Sequence, residues 1–348
     1  MNPQEQLCPN RACGASGKAG MIHIHSQKEK RYRCKSCGKT FSARTGNAYF
    51  RLKKEEAVFT VVVTLLAYGC PPQAIVEAYG LDRRTVRRWY HKAGQHSRGV
   101  HEATVWQRQW DLIHVQADEI KVRVQGGVMW MALAIMVSTR LWLGGTVDVK
   151  RSKVMIVDCL QQVARCALCR PLLLAVDGFN MYQTAIRKAF RSSHPIGKNG
   201  RMKNVFWDNI VLSQVVKARG NQRGNTEQVV TIGTRAQVKS LLTRSGGGQH
   251  INSSFIERFN GTVRQRLVCL VRRTRASARH QSTLNDGLFL MGCVYNFCTY
   301  HRSLAQALYL TPKRLHWVKK TPAMAAGLAT HRWTVEDLLK FKVMEGAA

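Results

Sequence analysis

The stretch at residues 112–124, LIHVQADEIKVRV, decides the fold of this chain. Its second half alternates apolar and charged residues, and a period of two is typical of a β-strand. The alternation places Asp118 in the same row as Ile120. Glu119 shares the opposite row with Lys121. A carboxylate in an otherwise apolar row is unexpected, so Asp118 is a candidate functional residue, whereas Glu119 is expected to face solvent as a bystander.

Further strands and helices are predicted on the carboxyl side of this strand. They are strands at 128–137 and 141–149, a helix at 152–164, a strand at 171–176 and a helix at 181–190. The strand at 171–176 is almost continuously apolar, which is typical of a strand buried on both faces. Asp177 follows it directly. Ligands bind at the carboxyl ends of strands in open α/β sheets, so Asp177 is a second candidate.

The stretch at 252–267 is predicted to be a helix that carries Glu257 on its open flank. Apolar residues recur along it at helical spacing and form a core-facing stripe. Asn260 and Arg264 follow Glu257 by three and seven residues and share its side, where they could position a phosphate. A lone Glu beside Arg258 more often forms a solvated ion pair. The two carboxylates on the predicted strands are the reason to expect a third.

The order of these elements, βββαβα followed by an insertion and a late helix, is that of the ribonuclease H-like fold, an α/β fold with a mixed sheet. Cleavage and transfer of phosphodiesters use two divalent cations. Carboxylates are the protein ligands that Mg²⁺ prefers. Asp118, Asp177 and Glu257 are therefore predicted to be catalytic ligands of two Mg²⁺ (or Mn²⁺) ions. His114, on the strand of Asp118, is expected to be a hydrogen-bonded core residue.

The composition indicates a polyanionic partner. The chain has 348 residues, with 54 Lys and Arg against 20 Asp and Glu, and a formal net charge of +34. Such an excess predicts binding to double-stranded DNA. The apolar run at 57–67 is too short to span a bilayer, and no signal peptide is evident, so a cytoplasmic, nucleoid-associated protein without membrane contact is expected. The 11 cysteines are then metal ligands and reduced thiols.

The N-terminal cysteines have the spacing of a zinc ribbon. A C-x4-C pair and a C-x2-C pair provide four soft ligands, which suits a structural Zn²⁺ ion. The ligands are Cys8, Cys13, Cys34 and Cys37. His23 and His25 are alternative ligands, but they alternate with isoleucines in a predicted strand, so surface positions are expected for them.

A helix-turn-helix is predicted between residues 53 and 96. Gly80 makes its turn, and Asp82 can cap the last helix. The basic residues of that helix are predicted to contact DNA, namely Arg83, Arg84, Arg87, Arg88 and Lys92. The alternative is a basic helical hairpin that packs on the catalytic domain. The ribbon and these helices are expected to have cores of their own and to be separable from the rest.

The predicted organisation has five parts. They are the ribbon at 1–50, the helix-turn-helix at 51–100, a linker at 101–109 within a polar stretch that begins at Gly94, a ribonuclease H-like domain at 110–303 with a basic insertion at about 191–250, and a C-terminal tail at 304–348. A helix at 284–301 is apolar over much of its circumference. It is expected either to lie inside the catalytic domain or to contact a second protomer.

The chain resembles the insertion-sequence-one family of DDE transposases, in the form that joins all these parts in one chain. The resemblance covers nearly the whole sequence. Its most specific pieces are the four N-terminal cysteines, the Asp118-Glu119 strand, Val176-Asp177-Gly178, the run SFIERFNGT at 254–262, the basic run Arg272–Arg275 and the run TPAMAAG at 321–327.

The resemblance implies a catalytic triad of Asp118, Asp177 and Glu257. It also implies binding of terminal inverted repeats, 3′ end cleavage by water, attack of the freed 3′ hydroxyl on target DNA, and at least a dimer on DNA. A non-catalytic DNA-binding regulator would explain the charge equally well, but not carboxylates in ribonuclease H order. A nuclease of the same fold would share the carboxylates but needs two sequence-reading modules less.

Overall fold

The computed structural model describes residues 2–10, 12–196, 201–217, 226–271, 276–311 and 314–343, so the basic run Arg272–Arg275 and the predicted turn at Pro312 lie outside the described residues. The N-terminal segment forms a small sheet of three strands, β1 (Ile22–Ser26), β2 (Arg31–Cys34) and β3 (Thr40–Ser42). They pair antiparallel in chain order. Tyr32 and Phe41 pack with three of the cysteines in a core of few residues. A core of this size needs a cross-link to be stable.

Three helices follow, α1 (Glu56–Ala67), α2 (Pro72–Tyr79) and α3 (Arg83–His101). Gly80 ends α2 in the left-handed conformation, with a φ of 57°, and so provides the predicted turn. The Asp82 carboxylate accepts the backbone N–H groups of Arg84 and Thr85, which confirms the predicted cap of α3.

The segment predicted to be an irregular linker at 101–109 is helical over most of its length. α3 runs through His101 and continues as a π-helical turn, Glu102–Trp106. The glycines of this stretch do not end the helix. A Cβ on Gly94 would lie 2.4 Å from the Cβ of Asp286, and a Cβ on Gly99 would lie 2.8 Å from Cγ1 of Val343. Both residues are small because other segments approach α3 closely there.

The central region alternates strands and helices. They are β4 (His114–Val124), β5 (Gly127–Met136), β6 (Trp142–Asp148), α4 (Lys153–Cys166), β7 (Leu172–Asp177), α5 (Met181–Ala189), β8 (Arg191–Ile196), β9 (Arg201–Phe206), β10 (Ile210–Lys217), β11 (Thr226–Ile232), α6 (Arg235–Ser245) and α7 (Ser254–Arg266). Six strands form one sheet in the order β11-β10-β7-β4-β5-β6. β7 pairs parallel with β4 and β10, and the other pairs are antiparallel. The predicted mixed α/β class is confirmed, and this sheet is compatible with a ribonuclease H-like fold.

The region predicted as an insertion at about 191–250 is mostly part of this sheet. β8 and β9 form a separate hairpin. β10 and β11 instead extend the sheet beyond β7, and Val211 of β10 packs with α6 residues in a core on that side. The apolar start of β10 explains its place, since it pairs with the fully buried start of β7.

The last part of the chain comprises α8 (Gln281–Cys293), a π-helical turn (Val294–Cys298), β12 (His301–Thr311), β13 (Arg314–Lys320), α9 (Pro322–Ala325) and α10 (Val335–Lys340). The predicted tail from 304 onward therefore contains a β-hairpin and two helices. Every residue at 287–298 is buried, because α8 lies between the core of the sheet and a second core that α1, α3 and α10 share. α8 is an internal helix, and the alternative of a protomer contact through it is wrong.

Among the described residues, the model contains no helix with the length and apolar character needed to cross a membrane.

Candidate active site and metal centres

Asp118 and Asp177 meet at one edge of the main sheet. β4 and β7 run parallel with Ala117 paired to Val176, so the next residue of each strand brings the two carboxylates together. Asp177 ends β7, and its Oδ1 accepts the backbone N–H of Phe179 at 3.0 Å. This bond fixes the turn after the strand. The two aspartates thus lie where the carboxyl ends of parallel strands expose ligand groups.

Glu119 is the third member of the group of converging carboxylates. One carboxylate oxygen from each of Asp118, Glu119 and Asp177 lies within 4.8 Å of the others. The Glu119 side chain has an exposed fraction of 0%, so the expectation that it faces solvent is wrong. Tyr182 of α5 and Cys159 of α4 lie beside it. These helices cover the charged row of β4 at this point.

Arg151 is the cationic partner of the cluster. Its Nη2 donates to Oε2 of Glu119 at 2.6 Å and to Oδ2 of Asp177 at 3.0 Å. Its guanidinium carbon lies 3.9 Å from the centroid of the Phe179 ring. Arg151 therefore holds two like-charged groups close together. Sequence reasoning missed it because one arginine after a strand carries no distinguishing mark among 54 basic residues.

The electrostatics of the cluster favour binding of a further positive charge. Burial raises the pKa of Asp118, and the negative charges of Asp177 and Glu257 add to the rise. Burial also raises the pKa of Glu119; Tyr182 opposes this rise, although Oε1 of Glu119 has no hydrogen-bond partner of normal geometry. Protons or cations stabilise carboxylates in such surroundings. The donor set therefore suits a hard divalent cation.

Gln116 ties α7 to β4. Its Oε1 accepts the backbone N–H groups of Phe255 and Ile256, both at 3.0 Å, and its Nε2 donates to the carbonyl of Asn252 at 2.7 Å. The first N–H groups of a helix have no partner within the helix. Gln116 thus caps α7 from the adjacent strand. A polar residue two positions before Asp118 in a buried row was the sequence signal that could have identified it.

α7 brings Asn260 into contact with Asp118 and leaves Glu257 beside the cluster. Nδ2 of Asn260 donates to Oδ2 of Asp118 at 2.8 Å, and the buried Oδ1 of Asn260 has no hydrogen-bond partner among the described residues. Glu257 is exposed, and its Oε1 accepts the Ser253 hydroxyl at 2.7 Å. Its charge still raises the pKa of Asp118. Arg264 is exposed on the same flank of α7.

The four N-terminal cysteines converge as predicted. The Sγ atoms are 3.7 Å apart for Cys8 and Cys37 and 3.8 Å apart for Cys13 and Cys34, and all four lie within 4.8 Å of one another. Tetrahedral zinc with Zn–S bonds of about 2.3 Å separates its sulfur ligands by about 3.8 Å. The donor set fits a structural zinc ion. The two histidines of β1 are exposed, as expected.

The predicted DNA-contacting residues of α3 divide into two groups. Four side chains are exposed at the start of the helix, namely Arg83, Arg84, Arg87 and Arg88. Lys92 is partly buried, and its Nζ donates to the backbone carbonyl of Phe50. Burial lowers the pKa of Lys92. Lys92 thus connects α3 to the preceding segment, and the exposed basic surface consists of the four arginines.

His114 is a core residue, as expected. Its Nδ1 lies 3.2 Å from the hydroxyl oxygen of Ser245 on α6, and burial lowers its pKa to about 3. The imidazole is therefore neutral at physiological pH and takes no part in the carboxylate cluster.

Two donor sets are thus in place, one of carboxylates at a sheet edge and one of four thiols. No protein-family model matches this chain, and no curated protein matches it either. The functional conclusion therefore depends on the geometry and charge of these sites.

Proposed function

We propose that this chain is a DDE-type DNA transposase, similar to the insertion-sequence-one family, with a ribonuclease H-like catalytic domain behind a zinc ribbon and a helix-turn-helix. The observation that carries the proposal is the convergence of Asp118 and Asp177, with Glu257 beside them, at the parallel edge of a six-stranded mixed sheet. A net charge of +34 makes a polyanion the natural substrate. An acidic cluster in so basic a protein would repel DNA unless cations neutralised it, which supports metal-dependent chemistry.

Asp118, Asp177 and Glu257 would hold the Mg²⁺ or Mn²⁺ ions. Glu119 lies close enough to the two aspartates to belong to the same donor set. A bound pair of such ions activates the attacking oxygen and stabilises the leaving oxygen of a phosphodiester. The reactions that this supports are cleavage at the 3′ ends of the element and transfer of those ends into target DNA.

Neighbouring side chains keep these ligands in place. Asn260 fixes the orientation of Asp118 through its Nδ2, and Gln116 fixes the start of the helix that carries Glu257. Arg151 offsets the negative charge of Glu119 and Asp177. Such pre-positioning matters because ligand groups displaced by even 1 Å lose much of their catalytic effect.

The N-terminal modules would bind the terminal inverted repeats. The four exposed arginines of α3 suit contacts to bases and phosphates, and a zinc ion in the four-cysteine site would cross-link a segment with little core of its own. Two element ends and one target must be held together, so at least a dimer on DNA is part of the proposal.

The test uses purified full-length protein and linear DNA that carries the sequences flanking its gene. With Mg²⁺, the protein should cut 3′ ends and join them to a target plasmid. Asp118→Asn and Asp177→Asn should each abolish both reactions and leave DNA binding intact, because asparagine keeps the size but not the charge. Asp158→Asn, a change of an exposed carboxylate on α4, is the control and should remain active.

Sequence-specific binding without metal-dependent cleavage would refute the proposed enzyme and favour the non-catalytic regulator. Full activity of Asp177→Asn would remove Asp177 from the site.

A further inference from the structure

A cavity of about 510 Å³ lies against α7 away from the carboxylate cluster. Its walls are α7, the turn between β5 and β6, the π-helical turn after α8, and the segment 299–303 that leads into β12. Small-ligand pockets have volumes of about 300–1,000 Å³. A cube of this volume is about 8 Å on a side, whereas one major groove of a DNA duplex is about 12 Å wide. The cavity can hold one nucleotide but not a duplex.

The walls of this cavity are positively charged without compensation. Four arginines line it, and no Asp or Glu does among the described residues; they are Arg140, Arg258, Arg266 and Arg302. None of the four forms an ion pair with a described carboxylate. Burial lowers the pKa of His301, and two of these arginines add to that effect. Uncompensated guanidinium groups around a cavity favour an anionic ligand with several acceptor oxygens, such as a phosphate.

Arg140 is held in an unfavourable state that such a ligand would relieve. Its backbone has a φ of 59°, a conformation that residues other than glycine rarely adopt. Its guanidinium carbon lies 3.9 Å from the centroid of the Phe255 ring, and its Nη1 is buried without a hydrogen-bond partner among the described residues. Backbone strain of this kind concentrates at ligand-binding sites. An unpartnered donor at the cavity is a second reason to expect an acceptor there.

Gly261 lies on the part of α7 between the cavity and the carboxylates. Successive residues of a helix are 100° apart, so Glu257 and Asn260 lie on one flank of α7 while Arg258 and Phe255 lie on the other. Gly261 is on the exposed crest between them. A Cβ placed on Gly261 would meet no atom within 4 Å. Glycine destabilises a helix relative to alanine, so a glycine without a packing reason indicates close approach by a ligand.

We propose that this arginine-lined cavity binds an unpaired nucleotide of a DNA strand that crosses α7 at Gly261 from the carboxylate cluster. The inference rests on the proposed function, because it takes the carboxylates as the place where the strand is cut. The phosphate of the nucleotide accepts from Arg140, Arg258 and Arg302. The single strand approaches α7 closely where the absence of a side chain leaves room. The cavity thereby distinguishes a frayed or single-stranded end from a closed duplex.

The test compares two fluorescein-labelled DNAs of identical duplex sequence, one blunt and one with a four-nucleotide single-stranded extension. Binding to the full-length protein is measured in buffer without added divalent metal, so that no cleavage occurs. The parent should bind the extended DNA at least tenfold more tightly than the blunt DNA. The double variant Arg258→Gln with Arg302→Gln should lose this preference and leave blunt-DNA affinity unchanged. For single strands, the slope of log affinity against log salt should fall by about 0.7 per lost phosphate contact.

Two further variants make the test specific. Arg235→Gln with Lys239→Gln removes the same charge from exposed positions of α6 and should keep the preference. Gly261→Leu should melt no lower than the parent, because leucine has room and a better helix propensity, yet it should lose the preference. Equal affinity of the parent for both DNAs, or loss of the preference in the α6 variant, would overturn the proposal. Preference retained in Gly261→Leu would overturn the route across α7.

The outcomes also separate this inference from the proposed function. Metal-dependent cutting without a preference for extended DNA refutes the cavity and leaves the enzyme. A preference in a protein that never cuts refutes the enzyme and leaves the nucleotide site.

Discussion

Replacing Gln116 with leucine should loosen α7 and move Glu257 away from Asp118. Gln116 is fully buried between β4 and the start of α7. Its side chain accepts two N–H groups of the first helical turn and donates to the carbonyl of Asn252. Leucine has a similar volume, so Gln116→Leu removes these three hydrogen bonds with little change in packing.

The cost can be worked out from these contacts. A hydrogen bond contributes about 0.5–1.5 kcal/mol net, so the three together contribute about 1.5–4.5 kcal/mol to holding α7 on the sheet. A tenfold change in an equilibrium corresponds to about 1.4 kcal/mol, so local opening of the first turn should become about ten- to a thousandfold more frequent. The rest of α7 remains attached, since Ile256, Phe259 and Val263 pack in the main core.

Hydrogen–deuterium exchange measured by mass spectrometry on the full chain gives the required local readout. Peptides covering 252–260 should exchange faster in Gln116→Leu by the factor above, while α5 peptides are unchanged. Gln162→Leu is the matched control, because Gln162 also bonds a backbone N–H, that of Gly145 on β6, but lies on α4. Unchanged exchange at 252–260 in Gln116→Leu, or equal acceleration in Gln162→Leu, would refute the capping role. Cleavage should fall in Gln116→Leu while DNA binding is retained.

Three further predictions concern pH, zinc and the division into modules. The pKa values of Asp118 and Glu119 are raised in the folded chain, so the folded state binds more protons than the unfolded state, and metal-free stability should fall as pH rises through these values; added Mg²⁺ should raise the melting temperature more at higher pH, and the opposite trend would contradict the assignment. Cys34→Ser should lower the bound zinc, measured by elemental analysis, and unfold the β1–β3 sheet, whereas Cys169→Ser, at an exposed thiol, should do neither. Removal of the residues before Val100 should yield an aggregating chain, because α1 and α3 cover one side of α8; a soluble truncated protein with a sharp melting transition would contradict the shared core.

The elements with strong periodicity were predictable from the sequence. The alternation in β4, the glycine turn into β5 and the apolar run of β7 are local signals, and the structure confirms all three. The capping by Asp82 is also local, because the acceptor and its donors are two and three residues apart. Asp118 and Asp177 were found because each interrupts or ends an apolar row.

The errors arose where tertiary contacts override local pattern. Charged residues in alternate positions indicate a solvated row, yet α4 and α5 cover the row of Glu119 while Lys121 in the same row is exposed. The expected linker contains Gly94, whose small size serves a close contact with Asp286 on α8. Neither helix coverage nor helix contact has a signature within the local sequence.

The separability of the N-terminal helices was a wrong inference for the same reason. α1 to α3 contain enough apolar residues to suggest a core of their own, but that core is completed by Leu290, Phe297 and Leu338 from the far end of the chain. Burial between segments so distant in sequence cannot be assigned from periodicity, since each amphipathic helix specifies a buried face and no partner.

The relation between β4 and α7 shows how one strand can place a site. Gln116 and Asp118 are two residues apart in the same row, which separates them by about 6.8 Å along a strand. On α7, the N–H of Ile256 that Gln116 binds and the side chain of Asn260 that reaches Asp118 are four residues apart, or about 6 Å along a helix. The two spacings match, so both contacts form when α7 lies alongside β4. A shift of β4 by one residue would turn both side chains to the opposite face and disconnect α7 from the cluster.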